Sequence, residues 1–299
     1  MAKTEVVEFT MYGGEVKVKF YPNSHMYKVT DPKYGLVDQR VKGVTTFLGI
    51  KDKSQALVSW ATETAGMHLL DLLESGEAIT AEHIAKSMRL HNEKKEEAAD
   101  IGTKTHEWCE YFIKHKLGLP GFEVAPVLPE EQTTLLGVNS FLDLITEKHV
   151  QFLASERIVY SRTFQYIGTL DFEAIVDGVY TIGDFKTANG LYNSVLAQMA
   201  AYQYAAEEEE EYLKSGKKYE NRLAVRLAKE TEEEYAERMF KKNAVKALQG
   251  KGSGEIKEYL SLEYKMSEGR AEYDRDMLGF IHHKNLFEWD NATDFFKNK

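Results

Sequence analysis

Alternating apolar and polar residues mark the beginning of the chain as β-structure. The segment 15–21 reads EVKVKFY and alternates with a period of two, and the segment 25–30 reads HMYKVT and is rich in aromatic and β-branched residues. Gly13-Gly14 and the Pro-Asn-Ser stretch at 22–24 supply turn residues beside these segments. The pattern predicts a small N-terminal β-hairpin or sheet within an N-terminal region 1–50.

The apolar spacing changes to a helical period at about residue 44 and stays helical for roughly a hundred residues. A helical block over residues 51–150 is therefore expected. Its predicted helices cover 54–75, 80–97, 98–116 and 129–148.

Strand-like and helical runs then mix in the last part of the chain, 151–299. Asp177-Gly178 is a strong tight-turn signal between two of the strands. The acidic run 207–211 is interpreted as the solvated face of a helix. Because the elements do not alternate strictly, the pattern predicts a mixed α/β layout of the α+β type. The predicted strands are 152–161, 165–178, 179–187, 221–230 and 256–264, and the predicted helices are 194–214, 231–247 and 268–289.

Composition narrows the possible functions. Among 299 residues, 48 are Asp or Glu and 38 are Lys or Arg, so the formal net charge is −10. This charge argues against a globally basic nucleic-acid coat protein but leaves room for an enzyme with a local basic groove. The single cysteine, Cys109, excludes a disulfide framework and any four-cysteine zinc or iron–sulfur site. No apolar run is long enough for a membrane span, and the N-terminus has no secretory pattern, so a cytoplasmic location is expected.

Two carboxylates and one amine are expected to meet on adjacent strands. Asp184 and Lys186 are two residues apart and should share a strand face. The turn at 177–178 brings the preceding strand alongside, which places Asp171 near Asp184. Such a trio suits metal-assisted phosphodiester hydrolysis, because carboxylates hold Mg²⁺ and a lysine stabilises developing charge. A surface ion pair on a hairpin would give the same local pattern.

Several short motifs occur together in one order along the chain. They are IGTKTHEWCE at 101–110, which carries His106, then Gly168-Thr169-Leu170-Asp171, Asp184-Phe185-Lys186-Thr187, and the Gln198/Tyr202 pair on the next helix. In these motifs the chain resembles the PD-(D/E)XK nuclease superfamily, specifically its RecB-like exonuclease branch of phage and bacterial type, from about residue 25 to at least residue 230.

The resemblance implies a restriction-endonuclease-like core, a mixed central sheet flanked by helices, over 151–299. It also implies that Mg²⁺, for which Mn²⁺ substitutes, is held by His106, Asp171, Asp184 and the backbone carbonyl of Phe185. Lys186 would position the attacking water, Gln198 would face the active site, and Thr187 and Tyr202 would contact DNA or support the site. Leu170 stands where proline is common in the superfamily. With no cysteine set, no iron–sulfur cluster is expected.

Other residues allow two interpretations. Glu156 is either a further residue at the metal or an exposed strand glutamate. Thr187 either bonds a phosphate or caps a turn, and Gln198 and Tyr202 also fit a helix packed on a sheet. Cys109 is assigned to packing. Phosphate contact and ordinary surface charge are both open for Lys104, Arg157, Arg162 and Arg226.

The expected function is that of a Mg²⁺-dependent DNA exonuclease in phage or bacterial recombination, repair or replication. No Walker A motif is present, so a helicase, recombinase or single-strand-binding partner would be a separate protein. One alternative is a catalytically silent DNA-binding or scaffold protein of the same fold, which would commonly lack the lysine or an aspartate. The other is a structure-selective endonuclease with the same active site.

Overall fold

The N-terminal region forms a four-stranded antiparallel sheet in the computed structural model, which describes residues 6–209, 214–216, 218–252 and 256–292. Its strands follow one another in chain order and are joined by short 3-10 turns. The sequence predicted a small hairpin or sheet in this region, and the fourth strand was not anticipated. The alternation of that strand, LVDQRV, is interrupted by a register shift and by a positive φ at Asp38. The strands are β1 (Val7–Met11), β2 (Val16–Tyr21), β3 (Met26–Asp31) and β4 (Leu36–Val41).

The helical block over 51–150 contains three helices where the sequence suggested four, and a short helix precedes it. The predicted break between residues 97 and 98 was wrong, since no proline interrupts the segment and a single helix runs through it. Thr80 caps this helix as expected, with its side chain accepting a hydrogen bond from the His83 amide. The helices are α1 (Val44–Leu48), α2 (Ser54–Glu74), α3 (Ala81–Lys116) and α4 (Gln132–Glu147).

The C-terminal part forms a mixed five-stranded sheet in which β5 to β9 lie in chain order. Neighbouring strands are antiparallel except β7 and β8, which are parallel and joined through a helix. The protein is therefore a mixed α/β structure of the α+β class. The elements are β5 (Gln151–Ser161), β6 (Tyr166–Val176), β7 (Val179–Lys186), α5 (Asn193–Glu207), β8 (Asn221–Leu227), α6 (Glu232–Leu248), β9 (Leu262–Glu268) and α7 (Gly269–Asp290).

Two predicted boundaries in this part were wrong. The strand predicted over 256–264 begins only at Leu262, and the helix predicted over 194–214 ends at Glu207. Residues 210 and 211 of the acidic run lie outside the described residues.

Apolar clusters on both faces of the larger sheet pack it against other elements. Helices α1, α5 and α7 cover one face and contribute Phe47, Met199 and Phe280. Helices α3 and α4 cover part of the other face with Ile113 and Phe141. The inner face of the N-terminal sheet packs beside them on β5 and β6. None of the helices in the described ranges combines the length and apolarity that crossing a bilayer requires.

Candidate active site

Strand register aligns three acidic residues across β5, β6 and β7. Phe172 pairs with Gly183, so continuing the register places Asp171 opposite Asp184. On the other side, the pairs formed by residues 155 and 157 place Glu156 opposite Asp171. The structure thus brings together the two predicted carboxylates and adds a third in the same row.

Strand β6 is irregular at Asp171. Leu170 packs with the α5 cluster and Phe172 with the α3 and α4 cluster, although residues two apart on a regular strand share a face. The facing residue, Glu156, has a φ of 52°, which a glutamate rarely adopts. The Phe185 amide donates a 2.6 Å hydrogen bond to Asp171 Oδ2. The Asp171 carboxylate is thus directed towards β7.

Asp184 is the most buried member of the site, with 1% of its side chain exposed. Gln198 Nε2 donates a 3.1 Å hydrogen bond to Asp184 Oδ1. The Lys186 ammonium forms an ion pair with Oδ2, so the two side chains lie on one side of β7 as predicted from their spacing. Oδ2 is buried and accepts no hydrogen bond of regular geometry, which leaves it suited to a cation.

The charges of these groups perturb one another. Burial and the neighbouring charge of Asp184 raise the pKa of Asp171 well above its usual range, and Lys186 only partly opposes this. Burial alone would lower the pKa of Lys186, but the charges of Asp184 and Asp171 outweigh it and raise that pKa. Lys186 is therefore protonated at neutral pH. Two close carboxylates of this kind favour binding of a further positive charge.

Helix α3 presents His106 to the same point. His106 Nδ1 lies 3.8 Å from Asp171 Oδ2, and its ring packs edge-on against Phe185 at a centroid distance of 6.0 Å. Burial lowers the pKa of the imidazole, which favours the neutral form that binds metals. The approach of α3 requires Gly102, because a Cβ there would lie 2.7 Å from Thr187 Oγ1. This contact gives a structural reason for the glycine in the IGTKTH motif.

Helix α5 presents Gln198 and Tyr202, which lie four residues apart on one helix face. Besides Asp184, Gln198 Nε2 contacts the Tyr202 hydroxyl at 2.9 Å. The Tyr202 ring is buried against Gly168, where a Cβ would lie 2.4 Å from a ring carbon. The glycine of the Gly-Thr-Leu-Asp motif and the tyrosine are thus a packing pair. This position suits a supporting role for Tyr202 and keeps its hydroxyl away from solvent.

Three further predicted residues lie among these groups. Thr187 is half-buried with its hydroxyl towards α3. Phe185 contributes its amide to Asp171, and its carbonyl as a metal ligand remains a prediction. Glu156 keeps an exposed surface, yet partial burial and the charge of Glu110 raise the pKa of its carboxyl to about 7.

The candidate phosphate contacts are engaged elsewhere. Arg162 is held by Asp31 and Glu15, and Arg226 by Glu263. Lys104 pairs with acidic residues on its own helix and near α4, and Arg157 belongs to an ion-pair cluster on β5 and β6. These contacts favour the interpretation as ordinary structural charge. Cys109 is fully buried in the α3 and α4 cluster, which fits its assignment to packing.

The sequence reasoning missed two charged residues of α3 that face Glu156. Glu110 and Lys114 form an ion pair with each other and act electrostatically on Glu156. They lie four and eight residues after His106, so helical spacing alone was enough to place them on its face. The IGTKTHEWCE motif singles out His106, whereas the helical period extends the same face to Glu110 and Lys114.

The side chains at the site fit a hard divalent cation. Carboxylate oxygens and a neutral imidazole are its donors, and Mg²⁺ and Mn²⁺ prefer such ligands. Within the described ranges, no group of three or more His, Cys, Asp or Glu residues is already arranged as a metal site. Instead, the Lys186 ammonium contacts the carboxylate of Asp184, and the Phe185 amide contacts the carboxylate of Asp171.

Two comparisons with known proteins supply no relative for this arrangement. No family model matches the chain, and no curated protein matches it either. The inference of function therefore depends on the side chains themselves.

Proposed function

We propose that the protein is a Mg²⁺-dependent DNA exonuclease of the PD-(D/E)XK superfamily, in its RecB-like branch. The observation that carries the proposal is the meeting of Asp171, Asp184 and Lys186 with Gln198 and His106, where the middle of β6 lies beside the end of β7. Five residues from four separate motifs meet there, and ordinary packing does not require that combination. The superfamily assignment rests on these motifs and their order.

The arrangement of the larger sheet is consistent with a restriction-endonuclease-like core. The two carboxylate-bearing strands are antiparallel neighbours, and the helix after β7 leads into a parallel strand, β8. That helix supplies Gln198 to the carboxylate of β7. The position of the helix thus supports the assigned roles.

The proposed metal ligands are Asp171, Asp184 and His106, with the Phe185 carbonyl and Glu156 as further candidates. Bound Mg²⁺ would supply polarisation of a phosphoryl oxygen and a water of lowered pKa. Gln198 fixes the rotamer of Asp184 through its hydrogen bond to Oδ1, which leaves Oδ2 directed into the site.

Lys186 carries the electrostatic part of the mechanism. Its ammonium is held charged by two carboxylates and lies beside the atom that would hold the cation. In this position it orients the attacking water and stabilises negative charge that develops on the phosphoryl group. A preorganised charge in a partly desolvated site is effective because it needs no reorganisation during the reaction.

Exonuclease action, as opposed to structure-selective endonuclease action, is proposed from the resemblance. A silent DNA-binding scaffold is disfavoured because the lysine, both aspartates and the histidine are all present. A role in phage or bacterial DNA recombination, repair or replication follows from the same resemblance, with any helicase, recombinase or single-strand-binding protein acting as a separate partner.

The test compares three DNA substrates in Mg²⁺: end-labelled single strands, end-labelled duplexes and a closed circle. We expect degradation of a linear substrate, a resistant circle, and loss of cleavage in excess chelator with recovery in Mn²⁺. Cleavage of the circle would favour the endonuclease. Full activity in chelator would refute the two-carboxylate mechanism, and DNA binding without cleavage in Mg²⁺ or Mn²⁺ would favour the scaffold.

A further inference from the structure

The outer face of the N-terminal sheet carries a row of opposed basic side chains. The register pairs Lys19 with Lys28 across β2 and β3, and Lys28 with Arg40 across β3 and β4. Directly opposed residues of antiparallel strands have Cβ atoms roughly 5 Å apart, and like charges at that distance destabilise the sheet. The fold therefore holds three cations in positions where opposite charges would be more stable.

Acidic residues on this face neutralise the row only in part. Asp38 is shared by two lysines, with its carboxylate 3.3 Å from Lys19 Nζ and 2.8 Å from Lys28 Nζ. Glu8 on β1 lies directly opposite Lys19 on β2 in the strand register. Lys17, two residues before Lys19, adds a fourth cation, so the basic residues outnumber these two acids although the whole chain carries −10.

Protection of sheet edges does not explain the row. Lysines that prevent edge-to-edge aggregation occur on edge strands. Here β1 and β4 are the edges, whereas Lys19 and Lys28 lie on the two central strands. In the part of the chain that the structure describes, Arg40 forms no ion pair or hydrogen bond through its side chain, and it is exposed. A partner with closely spaced negative charges would offset the repulsion.

The row lies on the outer side of the N-terminal sheet. The next register row contains Phe20, Tyr27 and Val41. The Tyr27 hydroxyl is 2.8 Å from Thr169 Oγ1, and Thr169 precedes Asp171 by two residues. Because neighbouring residues of a strand point to opposite faces, the inner face of the sheet contacts the catalytic strand and the basic row points away from it.

We propose that the basic face binds the phosphate backbone of the DNA substrate, at phosphates other than the one that is hydrolysed. The basic face consists of Lys17, Lys19, Lys28 and Arg40. The proposal rests on the proposed nuclease function. DNA is favoured over an anionic membrane because the proposed nuclease function already requires a bound polyanion with closely spaced phosphates. The phosphates of a DNA segment that extends past the N-terminal sheet would supply the charge that the row lacks.

The test removes two charges from the basic face with Lys28→Gln/Arg40→Gln. The matched control is Lys218→Gln/Arg270→Gln, which neutralises two exposed cations at the opposite end of β8 from Lys186. Both pairs are placed in the Lys186→Ala background, and duplex affinity is measured in Ca²⁺ over a range of KCl concentrations. We expect the salt slope of the basic-face variant to fall by about 1.8, since each lost phosphate contact contributes roughly 0.9. The control slope should not change.

Catalytic readouts separate this proposal from the nuclease assignment. With Lys186 intact, Lys28→Gln/Arg40→Gln should raise KM several-fold on duplex substrate and leave kcat unchanged.

An unchanged salt slope alongside Lys186-dependent cleavage would overturn the proposal for the basic face but not the nuclease assignment. An equal effect of the control pair would do the same. Failure of the parent protein to bind DNA would overturn both proposals. Binding to phosphatidylserine vesicles in place of DNA, lost in Lys28→Gln/Arg40→Gln, would assign the face to a membrane. The thermal midpoint of the variant should not fall below that of its parent, because the relieved like-charge repulsion offsets the loss of the exposed Lys28–Asp38 ion pair.

Discussion

Two acidic residues on the same strand, Asp171 and Glu173, have opposite electrostatic surroundings. The Glu173 carboxylate accepts a 2.5 Å hydrogen bond from Arg157, which also contacts Glu209 at 3.1 Å and the Tyr219 hydroxyl at 3.0 Å. Asp171 lies opposite two other carboxylates and has one main-chain donor. Glu173 is neutralised by a cation that the fold itself supplies, whereas Asp171 is held next to further negative charge.

The difference separates structural charge from functional charge. A buried ion pair with saturated partners contributes to the fold, and breaking it leaves an uncompensated charge. A pair of close carboxylates lowers the stability of the metal-free fold and so requires another reason for being there, which cation binding provides. The predictions below test whether the two clusters respond in opposite ways, in activity and in stability.

The largest expected effect is on cleavage when Lys186 is removed. Lys186→Ala should reduce turnover on the order of 10²-fold or more, as loss of one preorganised charge does. DNA affinity in Ca²⁺ should survive, because it comes from dispersed phosphate contacts. The measurements are degradation of end-labelled DNA in Mg²⁺ and affinity in Ca²⁺ on the folded variant. Cleavage at the parent rate would refute the assignment of this site.

Arg157→Gln should have the opposite profile. Glu173 would lose its cation, so the free energy of unfolding should fall by about 2 kcal/mol, less than for a fully buried pair because Arg157 is a quarter exposed. Turnover at a temperature where the variant is folded should not change. Denaturant unfolding checks the first expectation, with Arg270→Gln as an exposed control expected to change stability by less than about 0.5 kcal/mol. A turnover defect as large as that of Lys186→Ala would show that the Arg157 cluster and the Asp171 cluster do not have separate roles.

Asp171→Asn should make the metal-free protein less sensitive to pH. The pKa of Asp171 is raised above its ordinary value of 3.8, so its stabilising contribution is full below that value and is lost as the pH rises through the raised one. In chelator, the variant should therefore exceed the parent in stability at neutral pH by about 1 kcal/mol and match it at low pH. Unfolding free energies across this range provide the measurement. A variant less stable than the parent at neutral pH would contradict the account.

The smallest effect is expected at Cys109. Cys109→Ser should leave turnover and metal dependence unchanged, since the thiol is enclosed by the apolar side chains of α3 and α4. A stability loss of about 1 kcal/mol is expected for burying a hydroxyl. Loss of metal binding by a folded Cys109→Ser protein would show that the proposed ligand set is wrong.

The sequence predicted the elements of the larger sheet well because their signals are local. The strand-like runs over β5 to β7 and the tight turn at 177–178 located the strands that carry Asp171 and Asp184. The sequence could not provide the irregularity at Asp171, where Leu170 and Phe172 pack in different clusters, or the positive φ of Glu156 on the facing strand. The strand pattern and the turn therefore brought the carboxylates together without showing how Asp171 is turned.

Long-range packing set the other limits. The reasons for Gly102 and Gly168 lie in side chains 85 and 34 residues away, Thr187 and Tyr202, so sequence motifs could identify the glycines but not their contacts. The fourth N-terminal strand was missed because its polar residues face solvent and its pattern is interrupted by a register shift. For Glu110 and Lys114, by contrast, the helical period is local information and is sufficient to place both on the face of His106.

Metal binding by Asp184→Asn tests the central claim most directly. Mn²⁺ affinity would be measured by titration for the parent protein, for Asp184→Asn, and for Glu173→Gln as a matched carboxylate-to-amide control on the neighbouring strand. The account predicts that Asp184→Asn weakens Mn²⁺ binding by at least about tenfold, since one charged oxygen ligand is lost, while folded Glu173→Gln binds as the parent does. Equal Mn²⁺ affinity of Asp184→Asn and the parent would contradict the account.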